Sequence, residues 1–290
     1  MNQALACHRP HIEFIQAQLL PWQHIGPLGA RPGVEYKFLS RDPVSGACSV
    51  LLRYPPGWRR VGEEHLEAAE EFYVLDGALL LDGVTSYSAD CYAYWPRGQV
   101  HHSLAAPQGA VVLAFYDATP QVRAGVPSQP VRDDLLLPRI DVARMPWDTS
   151  LNDRNLKHLG IARKNLRQDP DTGERTFLSL IMPHSAPDGN QGPQEVHPCV
   201  EEAYVLSGAL SGPQGVMRPG AYFWRPPGIP HGPFGARWGA VSLMRFVGGR
   251  HVNVWTDQQA AFLLDAPYAP VLPAELAHLA ALPFVPAPAW

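Results

Sequence analysis

The hydrophobic positions of this chain come in short runs that are separated by turn-forming residues. Runs rich in aliphatic and aromatic side chains with turns between them predict β-strands rather than long helices. Pairs such as Asp76–Gly77 and Asp82–Gly83 are typical of turns between such strands. The predicted strands in the first half are Ala47 to Tyr54, Phe72 to Leu75, Leu79 to Leu81, Tyr92 to Trp95 and Val111 to Tyr116. The pattern therefore predicts an all-β protein of the sandwich or jelly-roll type.

The same blocks of residues occur twice along the chain in the same order, which predicts an internal duplication. The offset between the copies changes from block to block, and this places an insertion in the second half at Pro187 to Gln194. The matched blocks are Leu39 to Pro43 with Leu166 to Pro170, Glu70 to Leu79 with Glu201 to Leu210, and Pro96 to His101 with Pro226 to His231.

The duplication divides the chain into two domains and a tail. We predict an N-terminal domain at 1–125 and a second domain at 126–250, because a stretch rich in proline and glycine joins the two copies at Thr119 to Pro138. The tail, 251–290, is expected to carry a short helix at Ala274 to Leu282. We also expect the segment His11 to Trp22 to extend a sheet across a subunit or domain interface, which would suit a homodimer.

Composition and charge narrow the functional classes. A hydrophobic content of 46% and a charged content of 17% exclude a mostly disordered chain. A net charge of −4 predicts no nucleic-acid partner. No apolar run is long enough to predict a membrane span, and the first residues do not predict a secretory signal. The four cysteines form no paired framework, so we interpret them as reduced thiols of a cytoplasmic protein.

Histidine and glutamate residues recur in each half with a spacing that suits metal binding. Glu63 and His65 are two residues apart, as are Glu195 and His197, so in a strand each pair faces one side. A later glutamate and a histidine after a Pro-x-Gly turn complete each set. Imidazole and carboxylate together suit a divalent ion such as Fe, Zn, Mn or Ni. The candidate ligands are Glu63, His65, Glu70 and His101 in the first half, and Glu195, His197, Glu201 and His231 in the second.

These two segments resemble the paired motifs of the cupin superfamily, across roughly residues 34–116 and 161–246. The Glu-Glu-x-Tyr-Val-Leu-x-Gly-Ala-Leu stretches also resemble the cupin domain of ChrR-type anti-sigma factors. The resemblance implies a bicupin: two tandem double-stranded β-helix (jelly-roll) barrels, each with one metal ion. It implies that His65, Glu70 and His101, and likewise His197, Glu201 and His231, are ligands.

Both halves depart from the family pattern at the first ligand. The family motif begins His-x-His, whereas this chain has Glu63 and Glu195 at that position. These carboxylates are either fourth ligands or solvent-facing neighbours of the site. As ligands, two carboxylates would neutralise a divalent ion and lower its Lewis acidity.

Two functional hypotheses from different classes follow. The first is a metal-dependent enzyme acting on a small organic molecule, most simply a dioxygenase-type oxidoreductase, although lyase and isomerase chemistry also occur on such barrels. The second is a non-catalytic zinc-binding or small-molecule-sensing protein, as the ChrR-like resemblance implies. Sequence motifs of zincin proteases, α/β-hydrolases, Rossmann enzymes and P-loop ATPases are absent. No catalytic residue is assigned.

The second half is expected to be the catalytic one. It alone has the inserted loop Pro187 to Gln194, directly before Glu195. Loops at the rim of a ligand site often act as lids. Three prolines also stiffen the turn that carries His231, which suits a preorganised metal site.

Overall fold

The computed structural model describes residues 8–24, 31–286 and 288–290. The fold is all-β, as the sequence predicts, and the described residues form antiparallel sheets joined by turns and short 3₁₀ helices. The helix expected in the tail is present as a 3₁₀ helix. The 3₁₀ helices are Ala17–Leu19, Asp133–Leu135, Val142–Arg144, Lys157–Leu159, Asp188–Asn190 and Ala274–Ala281.

Two compact units make up the chain. The N-terminal barrel is the unit Leu20–Met145, and the C-terminal barrel joins the described residues up to Leu19 with Pro146–Trp290. These bounds differ from the predicted domains because strand pairing, and not position along the chain, decides where a segment belongs. The tail after residue 250 is likewise part of the C-terminal barrel.

The N-terminal barrel contains a curled sheet with the strand order β10-β4-β8-β5-β9-β3-β2, and β7 joins β11 to β5. Its strands are β2 (Glu35–Arg41), β3 (Cys48–Tyr54), β4 (Trp58–Leu66), β5 (Glu70–Leu81), β6 (Thr85–Ser88), β7 (Cys91–Trp95), β8 (His101–Ala106), β9 (Ala110–Tyr116), β10 (Val122–Ala124) and β11 (Leu137–Asp141).

The C-terminal barrel has a six-stranded sheet with the order β1-β18-β15-β19-β13-β12 and two smaller ladders, β14-β20 and β16-β17. Strand β1, from the segment expected to extend a sheet, pairs with β18. The strands are β1 (Ile12–Gln16), β12 (Ala162–Gln168), β13 (Arg175–Ile181), β14 (Gln191–Val196), β15 (Val200–Gly208), β16 (Leu210–Gly212), β17 (Gly215–Met217), β18 (Ala221–Arg225), β19 (Ala240–Val247) and β20 (Val254–Ala261).

The pair Asp76–Gly77 does not end a strand, in contrast to the sequence prediction. Strand β5 continues through it, with a register shift between Val74 and Asp76. Gly77 has φ +67° there, and a Cβ atom would lie 2.2 Å from the Gly109 carbonyl oxygen. The glycine is therefore needed for a bulge that lets two backbones approach closely. Asp82 and Gly83, both with positive φ, do form the predicted turn between β5 and β6.

Alternating side chains of the sheets fill the two barrels. Phe72 and Val74 of β5 point into the first core, where the Phe72 ring packs edge-on against Trp95 at a centroid distance of 4.9 Å. In the second barrel, Ala203 and Val205 occupy the corresponding positions of β15. Residues of the two matched sequence blocks thus contribute to each core.

Three of the four cysteines lie among the described residues. Cys48, Cys91 and Cys199 are buried. Burial raises the pKa of Cys199 to about 12, so its thiol is protonated near neutral pH. Cys7 lies outside the described residues.

Candidate metal centre

Three of the predicted ligands of the second half converge in the C-terminal barrel. Glu195, His197 and His231 are buried, and each offers an atom within 4.8 Å of the atoms offered by the other two. Among residues 8–24, 31–286 and 288–290, this is the one set of three such side chains that meets that distance. The spacing predicted from the sequence therefore brings these side chains to one point.

Backbone pairing holds the three side chains in place. The amide of Glu195 donates to the carbonyl of His231 at 3.0 Å, and the amide of His231 donates back to Glu195 at 3.0 Å. The amide of Gly228, in the Pro-x-Gly turn, donates to the carbonyl of His197 at 2.9 Å. The strand that carries Glu195 and the turn that carries His231 are thus fixed to each other before any ligand binds.

The two imidazole rings are oriented for binding through Nε2. Nδ1 of His197 donates to the Val252 carbonyl at 2.9 Å, and Nδ1 of His231 donates to the Ile229 carbonyl at 2.9 Å. A ring that donates its Nδ1 proton and is neutral keeps a lone pair on Nε2. Such backbone acceptors are typical of metal-binding histidines.

The fourth predicted ligand, Glu201, lies beside the other three but is shared with a cation of the protein. Its Oε2 atom is 3.2 Å from Nε2 of His231 and 3.6 Å from Nε2 of His197. The same oxygen accepts a hydrogen bond from Nη1 of Arg225. Arg225 also donates through Nε to Oε2 of Glu13 at 2.8 Å, and through Nη2 to the other oxygen. Strand β1 thus supplies a second carboxylate that holds Arg225.

The electrostatics of this centre favour the binding of a positive ion. Burial, and secondly the carboxylate of Glu201, raise the pKa of Glu195 to about 8. Burial, together with the charge of Arg225, lowers the pKa of His231 well below its usual value, so the ring is neutral. Oε2 of Glu195 and Nε2 of His231 are buried and have no hydrogen-bond partner among the described residues.

The donor set fits a divalent metal ion. Burying unpaired donors and carboxylates is costly, and an ion bound to them would remove that cost. Glu195, His197 and His231 would hold it, with Glu201 as the neighbouring carboxylate. Mixed nitrogen and oxygen donors suit Fe, Mn, Zn or Ni.

Two cavities meet at this centre. An inner cavity of about 70 Å³ is lined by Glu195, His197 and Glu201 together with apolar side chains such as Phe223. An outer cavity of about 220 Å³ also reaches Glu195 and His231. Leu156 and Phe234 line both cavities and therefore stand between them.

The inserted loop lies at the outer cavity, as expected of a rim segment. Pro187, Asp188 and Gln191 line that cavity. The second part of the insertion is a strand, however, because Gln191 and Gly192 pair with β20. Within the insertion, only the residues around the 3₁₀ helix Asp188–Asn190 lie outside this strand.

The N-terminal barrel does not bring its four predicted ligands together. The side chain of Glu63 is 46% exposed and lies 3.8 Å from the exposed ring of His102. His65 lines an open pocket beside Pro96 and Arg97, and its Nδ1 donates to the Gly125 carbonyl at 2.8 Å. Leu66, the next residue, packs in the core of the barrel. Glu63 and His65 therefore lie on the face of the strand opposite to Leu66, where Glu63 is exposed and His65 is buried.

The inward carboxylate of this half is Glu64. It is buried, and its Oε1 atom lies 3.5 Å from Nε2 of His101, while Oε2 pairs with Arg60. A register shift between Val61 and Glu64 in the pairing of β4 with β8 determines which side of the strand Glu64 faces. A one-residue shift moves every following side chain to the other side of a strand.

The number of residues that separates matching positions of the two halves shows that Glu64, and not Glu63, corresponds to Glu195. The offset of 131 that relates Glu70 to Glu201 also relates Glu64 to Glu195 and Leu66 to His197. Matching Glu63-x-His65 with Glu195-x-His197 requires a gap that the structure does not contain. Leucine thus stands in the first barrel where histidine stands in the second.

An arginine occupies the centre of the first barrel. Nη1 and Nη2 of Arg31 donate to the two oxygens of Glu70, each at 2.6 Å. The hydroxyl of Tyr116 donates to Glu70 at 2.7 Å, and Nη1 of Arg31 also donates to the hydroxyl of Tyr54 at 2.7 Å. Burial opposes the charge on Arg31, but Glu70 outweighs it and raises the pKa of Arg31 well above its usual value.

Glu70 of the first barrel is therefore paired with a guanidinium, whereas His101 lies beside Glu64. A charged group of the protein itself balances Glu70, and the residues at this position do not fit the expected metal site. Arg31 lies outside the repeated motif, and nothing in its local sequence marks it. Arg225 carries a weak signal, since it is a charged residue at the end of the apolar strand Ala221–Arg225.

Comparison with known families and structures agrees with this architecture. The domain of unknown function DUF4437 matches residues 13–252, which is most of the chain. The chain belongs to the DUF4437 family. Among curated proteins none matches it.

Solved structures similar to this DUF4437 protein are cupin-fold proteins. A candidate dioxygenase from Nostoc punctiforme aligns with a TM-score of 0.71 and 17% identity, covering 89% of this chain and 92% of its own. Oxalate decarboxylase from Bacillus subtilis aligns with a TM-score of 0.51 and 14% identity, covering 84% and 79%. A glyoxylate-induced protein candidate from Pseudomonas aeruginosa aligns with a TM-score of 0.55 and 15% identity, covering 86% and 92%.

At these identities the similarity shows the fold alone, and it identifies both barrels of this DUF4437 protein as cupin barrels. Among the described residues, no helix has the length and hydrophobicity needed to cross a membrane.

Proposed function

We propose that this protein is a metal-dependent oxidoreductase of the dioxygenase type that acts on a small organic molecule in the C-terminal barrel. The observation that carries this proposal is the convergence of Glu195, His197 and His231 beside a small, mainly apolar cavity. A redox-active divalent ion bound there would supply the electron-transfer chemistry that lets an organic substrate react with dioxygen. The similarity to a candidate dioxygenase supports the same class.

The side chains around the centre have distinct roles in this proposal. His197 and His231 present Nε2 atoms whose orientation is already fixed by the hydrogen bonds of Nδ1 to backbone carbonyls. Arg225 holds Glu201 and offsets part of its charge. Phe223 and Phe234 line the inner cavity and make part of its wall apolar. Glu195, with its pKa raised to about 8, is the group able to hold a proton near neutral pH when no ion is bound.

The charges support one bound cation in this barrel. Glu13, Glu195 and Glu201 carry three negative charges when ionised, and Arg225 carries one positive charge. Arg163, which lines the same cavity, carries a further positive charge, so the net negative charge that remains favours one bound cation. In the first barrel, Arg31 already balances Glu70. We therefore expect one ion per chain, and not one in each barrel as the motif predicts.

A ChrR-like metal-binding sensor is the alternative function. The small inner cavity and the carboxylate-rich donor set favour it, because four protein ligands can saturate zinc and leave no position open. The identity of the bound metal and its reaction with dioxygen distinguish the two functions.

The test compares two matched histidine variants. His197→Gln and His65→Gln remove histidines from the corresponding motifs, one beside the metal centre and one on the face of β4 opposite to Leu66. We expect elemental analysis to give about one redox-active ion per chain for the wild type and His65→Gln, and almost none for His197→Gln. Oxygen uptake is then measured with small oxo acids and diketones.

Iron or manganese with substrate-dependent oxygen uptake would support the enzyme. Tightly bound zinc without uptake on any compound would support the sensor instead. Full metal content in His197→Gln would overturn the assignment of the site itself.

A further inference from the structure

The inner cavity of the C-terminal barrel contains a cation that the metal centre does not use. Arg163, on strand β12, lines this cavity together with Glu195 and His197. The other lining side chains are mainly apolar, among them Leu159, Phe177 and Met244. A guanidinium in largely apolar surroundings is costly unless an anion or a hydrogen-bond acceptor pairs with it.

Arg163 has no ion-pair partner within the part of the chain that the structure describes. Its Nε atom is buried and donates to no hydrogen-bond acceptor among the described residues. Arg167, four residues along the same strand, is by contrast paired with Asp169 at 3.0 Å. Buried guanidinium groups are normally paired. The cavity-facing arginine of β12 is therefore the exception on its own strand.

A second guanidinium lies close to Arg163. The Cζ atom of Arg163 lies 4.7 Å from the centroid of the Phe177 ring, and Cζ of Arg175 lies 4.5 Å from the same centroid. Arg175 donates to the neutral Asn165 side chain at 2.5 Å, and the carboxylate of Asp148 attracts both guanidinium groups. Burial, and secondly the charge of Arg175, lower the pKa of Arg163 to about 10. Arg163 is the guanidinium that lines the cavity, and its positive charge favours an anion there.

The size of the cavity limits that anion. A cavity needs a volume of roughly 10–15 Å³ to hold one water molecule. The inner cavity, with a volume of about 70 Å³, therefore holds only a compound with a few non-hydrogen atoms. A carboxylate matches the planar fork of an arginine side chain and can accept two parallel hydrogen bonds from it. Ser179 and Ser242, which also line the cavity, add further polar positions.

We infer that Arg163 binds the carboxylate of the substrate, and that the substrate is therefore a short-chain organic acid. The inference rests on the proposed function, because it takes the inner cavity as the substrate site. Arg163 would hold the carboxylate at one wall while Glu195 and His197 line the same cavity, so the rest of a short molecule reaches the metal centre. Binding through Arg163 would also select against neutral molecules of the same size.

The test measures binding of two small probes of equal shape, propionate and its neutral amide propionamide. Calorimetric titrations use the protein with its metal as purified, and the variants Arg163→Lys and Arg163→Met. We expect the wild type to bind propionate at least about tenfold more tightly than propionamide. Arg163→Met should lose this preference, and Arg163→Lys should keep part of it. Elemental analysis of each variant should show unchanged metal content.

Equal binding of the two probes by the wild type, or no binding of propionate at tens of millimolar, would overturn the inference. Unchanged propionate binding in Arg163→Met would overturn it as well. Failure of the proposed function gives a different result, because propionate would still bind through Arg163 while no compound supports oxygen uptake.

Discussion

Replacing Arg31 with methionine tests whether the first barrel depends on its internal cation. Arg31 and Glu70 are 8% and 3% exposed, respectively, and two hydrogen bonds of 2.6 Å join them. Methionine keeps much of the side-chain volume but removes the charge and all donors. In Arg31→Met, Glu70 would keep only the hydroxyl of Tyr116 as a hydrogen-bond donor from this cluster.

The size of the effect follows from the burial of the pair. Removing one partner of a buried ion pair costs about 3–5 kcal/mol, because the other charge is left without compensation. Replacing both partners with apolar residues of similar volume is often neutral or stabilising. We therefore expect Arg31→Met and Glu70→Met each to lose about 3–5 kcal/mol of unfolding free energy. The double variant should lose less than either single variant.

The assay is urea unfolding of the full chain, with hydrogen exchange of β5 peptides to assign the transition to the N-terminal barrel. Arg59 is an exposed arginine on β4, so Arg59→Met serves as the control and should change stability by less than about 0.5 kcal/mol. A single Arg31→Met variant as stable as the wild type would refute the reasoning. So would a double variant that is no more stable than either single one.

Two further predictions concern the metal centre and the bulge of β5. In protein freed of metal by a chelator, burial and the charge of Glu201 raise the pKa of Glu195 to about 8. An unfolded glutamate has a pKa of about 4.3. The contribution of Glu195 to stability is therefore present in acid and is lost as the pH rises through 8. Urea unfolding of the wild type at several pH values up to and above 8 should show this loss of stability. In Glu195→Gln the stability should depend less on pH. A wild-type stability that rises with pH would contradict the raised pKa of Glu195. Gly77→Ala should destabilise the protein by about 3 kcal/mol, because its Cβ atom would lie 2.2 Å from the Gly109 carbonyl oxygen at φ +67°. Gly83→Ala is the control, since it has a similar φ of +69° and no atom within 4 Å, and should cost only about 1 kcal/mol in thermal unfolding; equal losses would show that φ alone matters.

The fold class and the convergence of three side chains in the second barrel follow from local features of the sequence. Short alternating strands with glycine-containing turns predict all-β barrels, and the spacing of Glu195, His197 and His231 predicts their convergence. Both depend on local rules, because the two-residue period of a strand and the geometry of a Pro-x-Gly turn are properties of a few neighbouring residues. The 3₁₀ helix in the tail follows from the same kind of local pattern.

Tertiary structure alone decided which side chains face the centre of the first barrel. Whether Glu63 or Glu64 points inward depends on the register between β4 and β8, and a shift of one residue exchanges the two faces. Register is set by hydrogen bonds to a distant strand, so it cannot be read from the strand itself.

The partners of Glu70 and Arg225 also come from distant segments. Arg31 precedes Glu70 by 39 residues, and Glu13 precedes Arg225 by 212. Strand β1 joins the second barrel through its pairing with β18, although it lies at the start of the chain. A buried charge is stabilised by whatever opposite charge the fold brings within reach, and sequence spacing places no limit on where along the chain that partner lies.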